Sequence, residues 1–168
     1  MSSTRTMGIS VTDVDTEAKL PLGFKYVQPA GTSDDDGEKI WIYVKADGTA
    51  LAVGEIAVRD PSALTNDLYG VIPSASGGTP LVAMSVVGVA QHAIASNSFG
   101  FIQAKGKALV KNGTANIAAD TGITSGGDRV GAAIDVAGAT DDAVFGFSLE
   151  AEAGNNTTFD AYINCPGA

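Results

Sequence analysis

The sequence is short of the residues that most chemistry needs. It holds one cysteine, Cys165, and one histidine, His92, in 168 residues. A single thiol cannot close an intrachain disulfide, and Cys165, beside Pro166, has no neighbouring set of metal ligands or redox partners. This suits assembly in a reducing compartment. His92 lies between Gln91 and Ala93 with no nucleophile motif around it, and reads as a structural histidine near a strand end. Charge is sparse as well, at 17% of residues, against about a quarter in ordinary soluble domains. Lys and Arg number 10 against 19 acids, for a net charge of −9. Binding a nucleic-acid backbone needs clustered cations, and the nearest approach, Lys105, Lys107 and Lys111, reads as a solvated turn flanked by strands. Long apolar runs are missing too. The longest, residues 81–90, is half of the roughly 20 residues a membrane helix requires, and residues 1–13 carry no apolar core of a secretion signal. Neither a nucleic-acid nor a membrane partner is expected.

What is present points to strands. Apolar residues make up 45% of the chain, enough for a core at a length where roughly two-thirds of the unfolded surface becomes buried. The 21 glycines and 6 prolines recur at short intervals, which favours many short strands over long helices. Residues 39–44 run Lys-Ile-Trp-Ile-Tyr-Val, a β-branched and aromatic stretch expected of a strand covered on both faces. Asp47-Gly48 then predicts a two-residue hairpin turn, with residues 49–53 as the return strand and residues 55–58 as another. Asp60-Pro61 can cap a short helical turn through Leu64 and Leu68. Residues 70–80 turn to Gly, Ser and Pro and read as a linker, whereas residues 81–90 read as a buried strand. Phe99, Phe101 and Gln103 alternate with Gly100, Ile102 and Ala104, and Lys105-Gly106-Lys107 reads as a turn. Near the end, Phe145, Phe147, Leu149 and Ala151 are expected to share one face. After a turn at Asn155-Asn156, Phe159, Ala161 and Ile163 point inward and Asp160, Tyr162 and Asn164 outward. No stretch keeps a 3.6-residue period for three turns.

The fold class expected is therefore mainly β, a small β-barrel or β-sandwich with an N-terminal arm. Residues 1–36 form the arm and an acidic loop around Asp34, Asp35 and Asp36. Residues 37–168 form the β domain, with an internal boundary marked near residues 70–80.

The candidate catalytic and metal motifs each fail on spacing. Ser125 in Thr124-Ser125-Gly126-Gly127-Asp128 lacks the flanking glycines of a nucleophile elbow. Counting from Asp34, the sixth position of a calcium loop would be Lys39 instead of glycine. Asp13, Asp15 and Glu17 alternate but are followed by Ala18 where that glycine belongs. Asn112-Gly113-Thr114, Asn155-Asn156-Thr157 and Asn156-Thr157-Thr158 match a glycosylation pattern, which has no consequence without a secretion signal, and Asn112-Gly113 is better read as a turn. No phosphate-binding glycine loop is present. No catalytic residue, metal site or cofactor is expected, and the chain is expected not to be an enzyme.

Two runs resemble a known family. Gly88-Val89-Ala90-Gln91-His92-Ala93-Ile94-Ala95 with Gly100-Phe101-Ile102-Gln103-Ala104-Lys105-Gly106-Lys107-Ala108, and later Val144-Phe145-Gly146-Phe147-Ser148-Leu149-Glu150-Ala151, are similar to small head-decoration (cement) proteins of tailed phages. The resemblance covers about residues 81–165. It implies a non-enzymatic virion protein on the outer surface of the capsid, assembled in the host cytoplasm and often trimeric. Its partner would be the major capsid protein, which it stabilises by non-covalent contacts. On that reading the N-terminal arm is a docking element, with Leu20, Leu22, Phe24 and Tyr26 as its capsid or subunit contacts. The same residues also read simply as the first strand of the core. Two other functions compete: a phage tail-tube or fibre subunit, and a carbohydrate-binding β-sandwich of a surface adhesin in which Trp41 and Tyr43 stack on sugar.

Overall fold

The computed structural model describes residues 5–6, 8–31, 37–62, 68–74, 85–113, 116–125, 131–135, 144–154 and 157–168. These residues form strands and no α-helix. In chain order they are β1 (Arg5–Thr6), β2 (Ile9–Ser10), β3 (Val14–Asp15), β4 (Lys25–Gln28), β5 (Lys39–Ala46), β6 (Ile56–Arg59) and β7 (Gly70–Pro73). There follow β8 (Val86–Val89), β9 (Phe99–Lys111), β10 (Gly122–Ser125), β11 (Ala133–Asp135), β12 (Gly146–Ser148) and β13 (Thr158–Asn164). The mainly β expectation is borne out, and of barrel and sandwich the structure is a barrel with additions. Strands β5, β7, β6, β8 and β9 pair in a ring that closes through β9 and β5. Pairing is antiparallel except between β5 and β7. From β9 the sheet continues through β13, β12, β10 and β11, while β4 extends it beyond β5.

Alternation along each strand sorts the side chains into three cores. Ile42, Val44 and Ala46 of β5, Ala57 of β6, Val71 of β7, Val87 of β8, and Ile102 and Ala104 of β9 form one buried cluster. All five barrel strands contribute to it, so it is the barrel interior, filled by side chains as a barrel this small requires. The opposite face of β6 and β8, with Ile56, Val58, Val86 and Val89, packs against Ala108, Val110, Ile123, Phe145, Phe159, Ala161 and Ile163. That second core lies between the barrel wall and the β10–β13 sheet. The opposite face of β5 and β9 carries Trp41, Tyr43 and Phe101, which are covered by Val11 and Leu20 from the N-terminal segment. Each large side chain fully buried in this way contributes about 1.5–3 kcal/mol. The unbroken apolar run of β5 thus has the predicted cause, cover on both faces.

β9 holds the three cores together because it serves both the barrel and the extension through β13. Residues 99–105 pair with β5 and residues 105–111 with β13. The turn expected at Lys105-Gly106-Lys107 is instead a bend within one 13-residue strand. Between Ile40 and Trp41 the register on β5 slips by one residue of β9. Gly106 takes φ of +101°, a left-handed value that glycine adopts without strain, and a Cβ there would stand 2.6 Å from the Glu38 carbonyl oxygen. The buried Gln103 amide donates to the Lys105 and Lys107 carbonyls at 3.1 and 2.8 Å, giving acceptors at the bend a partner.

Other expectations fail for local reasons. Gly48 has φ of +67°, but Asp47 does not take the positive φ that a type I′ turn needs at both central residues. Residues 49–53 form no return strand. Leu51 makes a single bridge to Ile94, and at the end of β5 where a hairpin partner would pair, β7 takes one edge and β9 the other. The Gly/Ser/Pro stretch opens with a strand, since residues 70–73 are β7 and help to close the barrel. Its residues 75–80 lie outside the described set, as do residues 81–84 of the expected buried strand. The acidic run Asp34–Asp36, the helical turn at residues 63–67, Gly126–Asp128 and the Asn155-Asn156 turn fall outside it as well.

Candidate functional site

The four residues singled out as contacts lie on the N-terminal segment where it wraps the β5–β9 face. Leu20 is buried at 5% exposure against Trp41, Tyr43 and Phe101, and Leu22, Phe24 and Tyr26 pack half-buried around the same cluster. The backbone fixes them there. Gly23 N–H donates to the Tyr43 carbonyl at 2.8 Å, and Tyr43 N–H donates to that of Phe24 at 2.9 Å. β4 then pairs with β5, placing Tyr26 opposite Trp41, and the Trp41 indole N–H donates to Gln28 Oε1 at 2.9 Å. Gly23 itself has φ of +80° with the Tyr69 ring packed against its Cα, so no side chain fits. The Tyr43 hydroxyl accepts from the Lys19 amide at 3.2 Å. Burial raises its pKa, the Lys19 bond works the other way, and the Asp15 carboxylate raises it again. Beyond this packing, β4 keeps one edge without a partner among the described strands, and Val27 on it is 49% exposed.

The other sequence candidates are placed as follows. Trp41 and Tyr43 are buried, at 6% and 0% exposure, so neither ring is free to stack on a sugar. His92 is half-buried, and neither ring nitrogen has a hydrogen-bond partner among the described residues. Burial lowers its pKa, with Asp13 pulling weakly in the opposite sense. Cys165 is buried, which pushes its thiol far above the usual range. Lys111 does not belong to a solvated turn, because its ammonium lies 2.9 Å from the buried Glu55 carboxylate. Among the described residues no group of three or more His, Cys, Asp or Glu is arranged to hold a metal ion.

A different surface emerges from the register of the last strands. Phe147 of β12 lies opposite Tyr162 of β13, which lies opposite Lys107 of β9, and one row along, Asp160 faces Leu109. Residues paired in register share a face, so Phe147, Tyr162, Lys107, Asp160 and Leu109 form the outer side of this sheet. Phe147 and Leu109 are 43% and 41% exposed. The Phe147 and Tyr162 rings stack with centroids 5.5 Å apart, and Lys107 is paired with Asp160 at 2.9 Å. A shallow groove of ≈ 400 Å³ runs along the rings, lined by Gly122, Val144, Gly146 and Asn164 among others.

The sequence reading put Phe147 and Leu149 on the same face as Phe145, but Leu149, like Phe147, is exposed. Ser148 sets the parity of β12. Its hydroxyl is held inside by the Ala118 carbonyl at 2.5 Å and the Thr121 amide at 3.1 Å, which turns Phe147 outward. Phe145 precedes the strand, so the alternation does not extend to it. The outward assignment of Tyr162 was the available signal, since whatever pairs with it must share its wet face.

No protein-family model matches the sequence, and no curated protein matches it. Among solved structures the chain is similar to the head fiber gp8.5 N base of bacteriophage phi29. That likeness has 17% identity and a TM-score of 0.49, over 75% of this chain and 94% of the other. At this distance it does not extend to function.

Proposed function

We propose that this chain is a structural virion protein, a head decoration or cement protein that binds the outer surface of an assembled tailed-phage capsid. It acts as a homo-oligomer, with a trimer the favoured form, and its partner is the major capsid protein. One observation carries the reading: the apolar interior is consumed by packing in three cores, while among the described residues one sheet face and one strand edge stay open. Such a body works through its surface. The resemblance of residues 88–108 and 144–151 to head-decoration proteins supports the same reading. A protein that binds the closed lattice and not its free subunits stabilises the lattice by mass action.

The N-terminal contacts enter here as docking elements. Leu20 steadies the segment, and the exposed sides of Leu22, Phe24 and Tyr26 flank the open edge of β4, to which a strand of a capsid subunit can add. The test is co-sedimentation with capsids assembled without this chain. Saturable binding that weakens in Val27→Asp, with the fold intact by circular dichroism, is expected. A chain that stays in the supernatant at all capsid concentrations removes the reading.

A further inference from the structure

Two parts of the molecule meet beside the aromatic cluster with unequal grip. One is the N-terminal strap, residues 9–22, whose Val11 and Leu20 are buried over Trp41, Tyr43 and Phe101. Between those two anchors, all of residues 12–19 except Asp15 are exposed. The strap is otherwise held by the two-residue pairing of β3 with Phe99 and Gly100, and by the Lys19 amide on the Tyr43 hydroxyl. A segment with so few buried contacts opens locally at far less than the cost of global unfolding. Gly23, left-handed at φ of +80° and bonded to the Tyr43 carbonyl, marks where the firmly paired chain begins.

The other part is the loop between β8 and β9, and it is tethered on both sides. The Gln91 side chain exchanges two hydrogen bonds with the Leu109 backbone, both at 3.0 Å, and Ile94 bridges to Leu51. His92 sits between these tethers. Both of its ring nitrogens are shut off from solvent, with no hydrogen-bond partner among the described residues. Residues 91–98 include no charged side chain, and the charge that acts on the ring comes from Asp13 of the strap. A Cβ on Gly100 would meet the Ile94 side chain at 3.1 Å and the Asp13 carbonyl oxygen at 3.4 Å, so Asp13 lies over the return of the His92 loop. Its carboxylate accepts from the Ser10 amide at 2.8 Å and does not bond the ring. The strap's next carboxylate, Asp15, accepts from the Tyr43 hydroxyl and keeps its other oxygen buried without a partner among the described residues. Buried polar atoms left unbonded cost free energy that contact with water returns.

We infer that the strap is an acid-operated latch: a proton on His92 opens it and uncovers the apolar face of Trp41, Tyr43 and Phe101. In the closed chain an imidazolium would bring a charge and two N–H donors to a place where no described residue accepts from them. The tethered loop cannot carry the ring out to water, whereas lifting the weakly held strap brings water to the ring. Burial already holds the His92 pKa below its ordinary value, so the open chain takes up the proton first. Opening is therefore favoured as the pH falls below about 6.5, by at most about tenfold in the opening equilibrium per pH unit, because one proton is involved.

Trp41 is the chain's only tryptophan and lies under the strap at 6% exposure, so its fluorescence reports the latch. The experiment is acrylamide quenching of the capsid-free chain from about pH 7.5 to about 5.5, a window that spans histidine and stays above ordinary carboxylates. Far-UV circular dichroism is followed in parallel. The wild type is expected to become reversibly more quenchable toward the acid end, with its β signal unchanged. His92→Gln cannot take up the proton and removes the pH dependence. Asp13→Asn keeps an acceptor for Ser10 but removes the charge that favours an imidazolium in the closed chain, so it moves the opening to higher pH. That variant decides the matter if His92→Gln does not fold. Flat quenching in the wild type, an unchanged pH response in folded His92→Gln, an unmoved midpoint in Asp13→Asn, or an opening that coincides with loss of the β signal would each overturn the latch. Every readout is on the free chain, so the result is independent of capsid binding.

Discussion

β5 with the first half of β9, and β12 with β13, are both aromatic, yet they use their aromatics in opposite ways. On β5 and β9 the rings of Trp41, Tyr43 and Phe101 point away from the barrel interior and are still buried, because the N-terminal segment covers them. On β12 and β13 the rings of Phe147 and Tyr162 also point away from the adjacent core, and among the described residues nothing covers the pair's outer side. A strand with two covered faces is scaffold. A strand with one covered face supplies both scaffold and surface, and its outward residues are free to serve contact without cost to the core.

Substitutions should separate the two regions, the largest effect coming from the covered side. Phe101→Ala is expected to cost about 3–5 kcal/mol of unfolding free energy by urea titration, whereas Leu109→Ala on the open face should cost about 0.5 kcal/mol or less. Equal losses would show that the open face is covered after all. Next in size is the bend that lets one strand serve both regions. Gly106→Ala forces a left-handed φ on alanine and drives its Cβ toward Glu38, for a loss of roughly 1–3 kcal/mol. A neutral result would mean that the bend can relax.

A smaller effect tests what turns Phe147 outward. Ser148→Ala leaves the Thr121 amide without its hydroxyl partner, at about 1–1.5 kcal/mol, and the measurable sign is altered fluorescence of Tyr162 beside a shifted Phe147. The smallest is acid dependence through His92. Burial lowers its folded pKa, so the unfolded chain takes up a proton near the ordinary value of about 6.5 before the folded chain does. Stability from this group is therefore complete above that value and falls as the pH drops toward the folded pKa. In thermal melts, His92→Gln should flatten that part of the pH profile. An unchanged slope would assign it to carboxylates instead.

The two regions also differ in how well their sequences announced them. The β5 run was legible because cover on both faces removes alternation altogether, and β13 was legible because one wet face makes alternation strict. Phe159, Ala161 and Ile163 are all fully buried as expected. Three features were not legible, each because a long-range partner overrode a local signal. Asp47-Gly48 has hairpin chemistry, but β7 and β9 occupy the edges of β5. Lys105-Gly106-Lys107 has turn chemistry, but β13 continues the ladder through it. Gly70–Pro73 has linker composition, but barrel closure makes it a strand. The open face was missed for a related reason: the hydroxyl of Ser148 decides the direction of Phe147, and its partners lie nearly thirty residues away at Ala118 and Thr121.

The central claim is that this chain stabilises a capsid by binding its outside. Calorimetry of capsids assembled without the chain, before and after its addition, tests that claim most directly. The account predicts a higher capsid melting temperature that saturates as surface sites fill and returns to baseline when the chain is removed. An unchanged melting temperature at saturating chain would contradict it.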